Sequence, residues 1–215
     1  MVVGYRTYIK LIHSLIKPDA EVFSGTMGGE VERAKTAVSK ALENHRVVMV
    51  SSGDPGVYGM AGIVLEVASL EKADVPVEIV PGVTAATAAA SKLGAPLVSD
   101  FAVISLSDLL TPWEKIERRL EAAASADFAM VLYNPKSEGR VEPLIKAYQI
   151  MLKHMSPQTP VGVVKQVGRQ GEKATVTSLK ELLNVDIDMV TTVIVGNSAT
   201  KVIEGKMVTE RGYDL

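Results

Sequence analysis

Apolar residues follow two rhythms along this chain. Apolar-rich runs that stop at or near glycine, proline or asparagine recur at 47–51, 77–80, 101–106, 128–133, 161–167 and 189–195, the first of them unbroken from Val47 to Val50. Runs without alternation are the pattern of strands covered on both faces. Between them, apolar positions return at helical spacing. The segment 5–16 places Tyr8, Leu11, Ile12 and Leu15 on one face until Pro18, and 28–44 repeats Val31, Ala34, Val38, Ala41 and Leu42. Further helices are predicted over 57–73, over the alanine-rich 85–92, from Thr111 with Trp113, Ile116 and Leu120 inward, over 141–155 and over 178–183. Thr111-Pro112-Trp113-Glu114 and Ser178 to Glu181 read as capping boxes.

Strand and helix alternate too regularly for anything but an α/β chain with largely parallel pairing. An extra strand read over 174–177 crowds the segment after Val161 and predicts some antiparallel pairing there. Gly94-Ala95-Pro96 interrupts the order and places a domain boundary near residue 96, giving domains over 1–96 and 97–215. No tandem repeat or low-complexity stretch appears.

Composition narrows the function. With 215 residues, 47% hydrophobic and 22% charged, the chain can bury a sizeable core as a soluble globular protein. A net charge of -2 supplies no global field for nucleic acid or an anionic membrane, so any anionic partner needs a local basic cluster. The absence of cysteine removes disulfides, thiolate metal sites and a cysteine nucleophile, and it fits a cytoplasmic location. The most apolar long stretch, 79–98, contains Pro81, Thr, Ser and Lys92 and is no membrane span. His13, His45 and His154 have neither metal nor triad spacing.

Candidate chemistry lies in the turns after the strands. Ser51-Ser52-Gly53-Asp54-Pro55-Gly56-Val57-Tyr58-Gly59 follows one run and Pro81-Gly82-Val83-Thr84 the next. In open α/β sheets such turns, at the carboxyl ends of strands, are where ligands bind, and the glycines permit close backbone approach. An Asp-Pro-Gly sequence is also an ordinary turn signal. Five cations, Lys136, Arg140, Lys165, Arg169 and Lys173, fall in two later loops. They suit a polycarboxylate, or they are simply solvated loop charges.

The stretches G-D-P-G-V-Y-G, P-G-V-T-A, I-S-L-S-D-L-L-T-P-W, L-Y-N-P-K-S-E-G-R and V-I-V-G-N together resemble the tetrapyrrole (corrin/porphyrin) methylase family over essentially the whole chain. The third and fourth resemble its C17 branch, which acts on precorrin-3B in cobalamin biosynthesis. The resemblance implies two α/β domains with a cofactor cleft between them, commonly as a homodimer. It also implies S-adenosylmethionine as methyl donor, a precorrin-3B or cobalt-precorrin-3 substrate, and methylation at C17 with ring contraction. Matched by motif, the implied cofactor residues are Gly53, Asp54, Val57, Tyr58, Thr84, Ala85, Tyr133, Asn134, Gly196 and Asn197. Lys136, Arg140, Lys165 and Arg169 become candidates for substrate carboxylates. Ser105, Ser107 and Asp108 are candidates for moving protons near the ring, although Ser107 and Asp108 could instead cap the helix near Thr111. Asp54 is expected to position rather than to transfer a proton.

The family usually opens with a strand and a G-x-G-P-G loop ahead of the segment matching Val2 to Tyr8, where this chain starts. The resemblance therefore implies a first domain short of one strand, with lowered stability or compensation by dimerisation. Three rival readings remain: another methylase of the family, a binding protein without turnover, and an unrelated phosphate-binding enzyme. The last lacks any Walker-type or G-x-G-x-x-G signature.

Overall fold

β1 (Val2–Tyr5) is the centre of a parallel three-stranded sheet, flanked by β2 (Val22–Gly25) and β3 (Val48–Val50). Val2 stands opposite both Val22 and Val48. The computed structural model describes residues 1–214, and this sheet belongs to the first of two compact units, Met1–Thr84; the second begins at Ala85.

In the first unit α1 (Arg6–Leu11) is short and gives way to a 3-10 turn at His13–Leu15. Leu11 and Leu15 are exposed and Ile9 is the residue that α1 buries, so the long face expected over 5–16 does not form. α2 (Glu30–Leu42) meets α3 (Ala61–Leu70) through Ala34, Val38, Val67 and Ala68. Small residues at this contact let the two helices approach closely. Val31 and Leu42, expected on the buried face, are exposed. α3 starts at Ala61 rather than near Val57, because residues 57–60 are spent on a tight turn in which Tyr58 has a positive φ of 53°.

The strand expected over 77–80 is absent. Residues 73–84 pair with no strand, and Val77, Ile79 and Val80 are exposed. A hollow of about 400 Å³, lined by Val48 and Met49 on one side and Val77 and Ile79 on the other, separates the segment from the open edge of β3. Strands must approach to about 4.8 Å to share hydrogen bonds.

The second unit begins with α4 (Ala85–Leu93) and β4 (Gly94–Ala95). There follow β5 (Phe101–Ser105), α5 (Trp113–Ser125), β6 (Ala129–Tyr133), α6 (Glu142–His154), β7 (Pro160–Lys165) and β8 (Lys173–Ser178). A 3-10 helix at Leu179–Asn184, where an α-helix was expected, leads to β9 (Thr191–Val195) and the hairpin β10 (Thr200–Ile203) and β11 (Lys206–Thr209). The main sheet runs β5-β6-β9-β7-β8, with β5 and β6 parallel and the other neighbours antiparallel. β4 pairs with β11 in a second small sheet.

Both faces of the main sheet are covered, which is why its runs show no alternation. Met130, Leu132, Val163 and Val193 join the core containing α5 and α6 residues, whereas Val131, Val164 and Ile194 join Ala86, Ala89 and Leu93 of α4. α4 therefore packs with the second unit, ahead of the boundary expected near residue 96. Neither expected capping box forms: the N-cap of α5 is Pro112, and no side chain caps either helix start. Among the described residues no helix is long and apolar enough to cross a membrane.

Candidate functional site

In the first unit, the turn after β3 and the turn at Pro81 to Thr84 touch. Asp54 Oδ1 accepts a hydrogen bond from the Gly56 amide at 2.8 Å, and Oδ2 accepts one from the Gly82 amide at 3.0 Å. These amides, Gly82 first and then Gly56 and Val57, hold the Asp54 carboxyl below the usual aspartate range. Asp54 thus staples one turn to the other. A methyl group on Gly82 would lie 2.1 Å from the Gly53 carbonyl oxygen, so only glycine allows this approach. Gly53 has a φ of 67° and Tyr58 reaches the left-handed region without being glycine. The expected residues Gly53, Asp54, Val57 and Tyr58 therefore share one folded turn, and Gly82 joins it to the turn that ends at Thr84.

Beside them is a hollow of about 200 Å³ lined by Tyr5, Tyr8, Met27, Arg33, Ser51 and Tyr58 among others, at the carboxyl ends of all three strands. Arg33 is buried, donates to the Thr26 carbonyl at 2.5 Å and to Glu30 at 3.0 Å, and lies 6.0 Å from the Tyr5 ring centroid. The sequence reading missed Arg33, whose only signal is a cation inside the small-residue stripe of α2.

In the second unit, Ser105, Tyr133 and Lys165 end β5, β6 and β7 on one edge of the main sheet. The Tyr133 hydroxyl accepts from the Ala86 amide in the first turn of α4 at 2.7 Å, which brings Tyr133 beside Ala85. Asn134, at a φ of 50°, donates through Nδ2 to Ser105 Oγ at 3.0 Å, and the Ser107 amide donates to the same oxygen at 3.2 Å. Asp108 is exposed on the following loop. Because α5 has no side-chain cap, capping does not account for Ser107 or Asp108.

Two expected groupings do not form. Gly196 and Asn197 follow β9, which runs antiparallel to β6 with Met130 opposite Val195. They therefore lie at the sheet edge opposite Tyr133 and Asn134, where Asn197 donates to the Asp127 carbonyl at 3.1 Å. The loop cations also have internal partners. Lys165 pairs with Asp186 at 2.8 Å and Asp188 at 2.7 Å, and these carboxylates raise its pKa. Both terminal nitrogens of Arg140 donate to main-chain carbonyls. Arg169 lies in the turn after β7, its amide donating to the Gln166 carbonyl, while Lys136 is half-buried and Lys173 opens β8. No group of three or more His, Asp or Glu suited to a metal ion occurs among the described residues.

A Gly-rich turn stapled to a second turn in the first unit, and a sheet edge carrying small polar groups in the second, are the candidate ligand-contacting features of this α/β chain. The chain belongs to the tetrapyrrole (corrin/porphyrin) methylases, whose family model matches residues 1–183. It is 49% identical over 215 residues to a Salmonella typhimurium protein named probable cobalt-factor III C(17)-methyltransferase, covering 100% of this chain and 89% of that one. It is 39% identical over 204 residues to the precorrin-3B C(17)-methyltransferase of a Sinorhizobium species, covering 94% and 80%. The crystal structure of the methyltransferase CobJ superposes with a TM-score of 0.88 at 36% identity, covering 97% of this chain and 87% of that one.

Proposed function

We propose that this chain is an S-adenosylmethionine-dependent C-methyltransferase of corrin biosynthesis, acting at C17 of a precorrin-3B-type macrocycle with ring contraction. The observation that carries the reading is the 49% identity to a C(17)-methyltransferase across the whole chain. The lower identity, 39%, to the relative named for precorrin-3B favours the cobalt-containing macrocycle as substrate. A cytoplasmic homodimer completes the proposal.

When bound, the sulfonium cofactor supplies an electrophilic methyl group. The protein's part is to orient the acceptor carbon in line and to exclude water, and no covalent nucleophile is needed. The stapled turns suit the cofactor, because a close backbone approach fixed by Gly82 and Asp54 presents main-chain groups in one rigid arrangement. Gly53, Asp54, Val57, Tyr58 and Thr84 are the proposed cofactor contacts of the first unit, and Ala85, Tyr133 and Asn134 those of the second. Gly196 and Asn197 drop out with their position at the far sheet edge. Ser105, Ser107 and Asp108 hold or move protons beside the ring, and Lys136 and Arg169 meet its carboxylates.

Incubation of the protein with S-adenosylmethionine and either cobalt-factor III or precorrin-3B tests this. The expected result is S-adenosylhomocysteine together with a macrocycle heavier by one methylene and altered in absorbance. Cofactor binding with no methyl transfer to either macrocycle would overturn it.

A further inference from the structure

Arg140 was expected to meet substrate carboxylates, but its guanidinium faces inward to the main chain. Nη1 donates to the Leu106 carbonyl and Nη2 to the Asn134 carbonyl, each at 2.8 Å. Leu106 and Asn134 are the first residues beyond the ends of β5 and β6, and the last rung between the two chains is the Leu106 amide donating to the Tyr133 carbonyl at 2.9 Å. Past that rung, neither segment continues as a strand. Arg140 adds one further layer, and Ser105 Oγ, which accepts from Asn134 Nδ2 and the Ser107 amide, supports it from the side.

Arg140 is itself held. Its amide donates to the Ser137 carbonyl at 3.1 Å and its carbonyl accepts from the Ser137 amide at 3.0 Å, which closes a tight turn and aims the side chain. A planar guanidinium can serve two carbonyls at once from a rigid fork, whereas an ammonium is a point charge on a flexible stem. What lies beyond the clasp is the loop 107–112, which joins no sheet and ends at α5. It carries Ser107 and Asp108 and an apolar tip, with Leu109 82% and Leu110 98% exposed.

We propose that Arg140 is a positioning residue for methyl transfer: by tying the Leu106 and Asn134 carbonyls it sets the path of residues 107–112, and it does not bind substrate carboxylates. The assignment rests on the C-methyltransferase reading above. It makes the loop's direction depend on a cation more than thirty residues downstream.

Hydrogen exchange and steady-state kinetics on Arg140→Ala, Arg140→Gln and Arg140→Lys test it. In Arg140→Ala, the hydrogen-bonded amides of Leu106 and Ser107 should exchange about tenfold faster or more, with the rest of β5 and β6 unchanged. The kcat should fall about tenfold or more while KM for the macrocycle stays within about threefold. Lysine should not restore the rate, and added methylguanidinium should restore part of it. If Arg140→Ala unfolds the protein, Arg140→Gln, which keeps one donor group, supplies the same comparison. Unchanged exchange at Leu106 and Ser107, or a raised KM at normal kcat that lysine repairs, would overturn the proposal. Were the wild type to methylate neither macrocycle, the functional reading would fail by itself, and the exchange result would still decide whether the clasp orders the loop.

Discussion

Gly82→Ala perturbs the contact on which the first unit's site depends. The added methyl carbon would stand 2.1 Å from the Gly53 carbonyl oxygen and 3.1 Å from the Gly53 carbonyl carbon, whereas ordinary contacts begin at 3.4 Å. Both obstacles are backbone, so no side-chain rotation relieves them. One turn must retreat by roughly 1 Å, at a cost typical of overpacking, about 1–3 kcal/mol. That retreat also stretches the Gly82 amide to Asp54 bond, now 3.0 Å, beyond useful length. Misplacement of this size in a preorganised site can cost about a hundredfold in function.

Calorimetric titration with S-adenosylmethionine and S-adenosylhomocysteine, beside thermal denaturation, checks the result. Affinity should fall by one to two orders of magnitude, roughly 1.4–2.8 kcal/mol, and the midpoint should drop by several degrees. Gly62→Ala is the control, because nothing lies within 4 Å of its added carbon. That change sits in α3 and should stabilise by about 0.5–1 kcal/mol without touching affinity. A Gly82→Ala protein with wild-type affinity and midpoint would refute the claim that the two turns form one rigid binding element.

Asp54→Asn should be pH-selective. Its carboxyl is held low by the Gly82, Gly56 and Val57 amides, so its stabilisation is complete above the ordinary aspartate pKa of about 4 and fades as pH falls through the lower folded value. Thermal midpoints from pH 7 to 3 should show a gap between wild type and variant that narrows only below about 4, and a constant gap would contradict the staple. Gly162→Ala in β7 should destabilise by about 1–3 kcal/mol, since the new carbon meets buried Leu93 at 2.2 Å and Met207 at 2.9 Å. Urea unfolding reads that cost, and relief by Leu93→Ala in the double variant would identify the clash as its source.

The pattern of apolar runs located β3, β5, β6, β7 and β9 to within a few residues; for β6, β7 and β9 the reason is that a strand covered on both faces leaves a mark that local sequence carries, whereas β3 has the apolar run but an exposed Val48. β2 and the hairpin β10–β11 left no such mark. Val22 is exposed in β2, Val202 and Ile203 are exposed in β10, and both elements are four residues long. Residues 77–80 show the converse: an apolar run supplies the side chains of a strand but not the partner, and here the partner edge lies across a hollow.

The site was legible where backbone conformation makes the chemistry and illegible where partners do. Gly53 and Asp54, and the turn that holds Gly82, could be picked out because glycine, proline and aspartate in a turn are demanded by the turn itself. The direction of β9 has no local signature, so the resemblance groups Gly196 and Asn197 with Tyr133 and Asn134 although antiparallel pairing carries them to the far edge. Cations are harder still. Lys165 reads as a ligand until Asp186 and Asp188, some twenty residues on, turn out to face it. Arg140 reads the same way, yet its acceptors are carbonyls, which every residue has and no sequence pattern distinguishes. A loop cation therefore points to an anionic substrate only after its internal acceptors have been accounted for. By that standard neither Lys165 nor Arg140 counts as evidence for an anionic substrate.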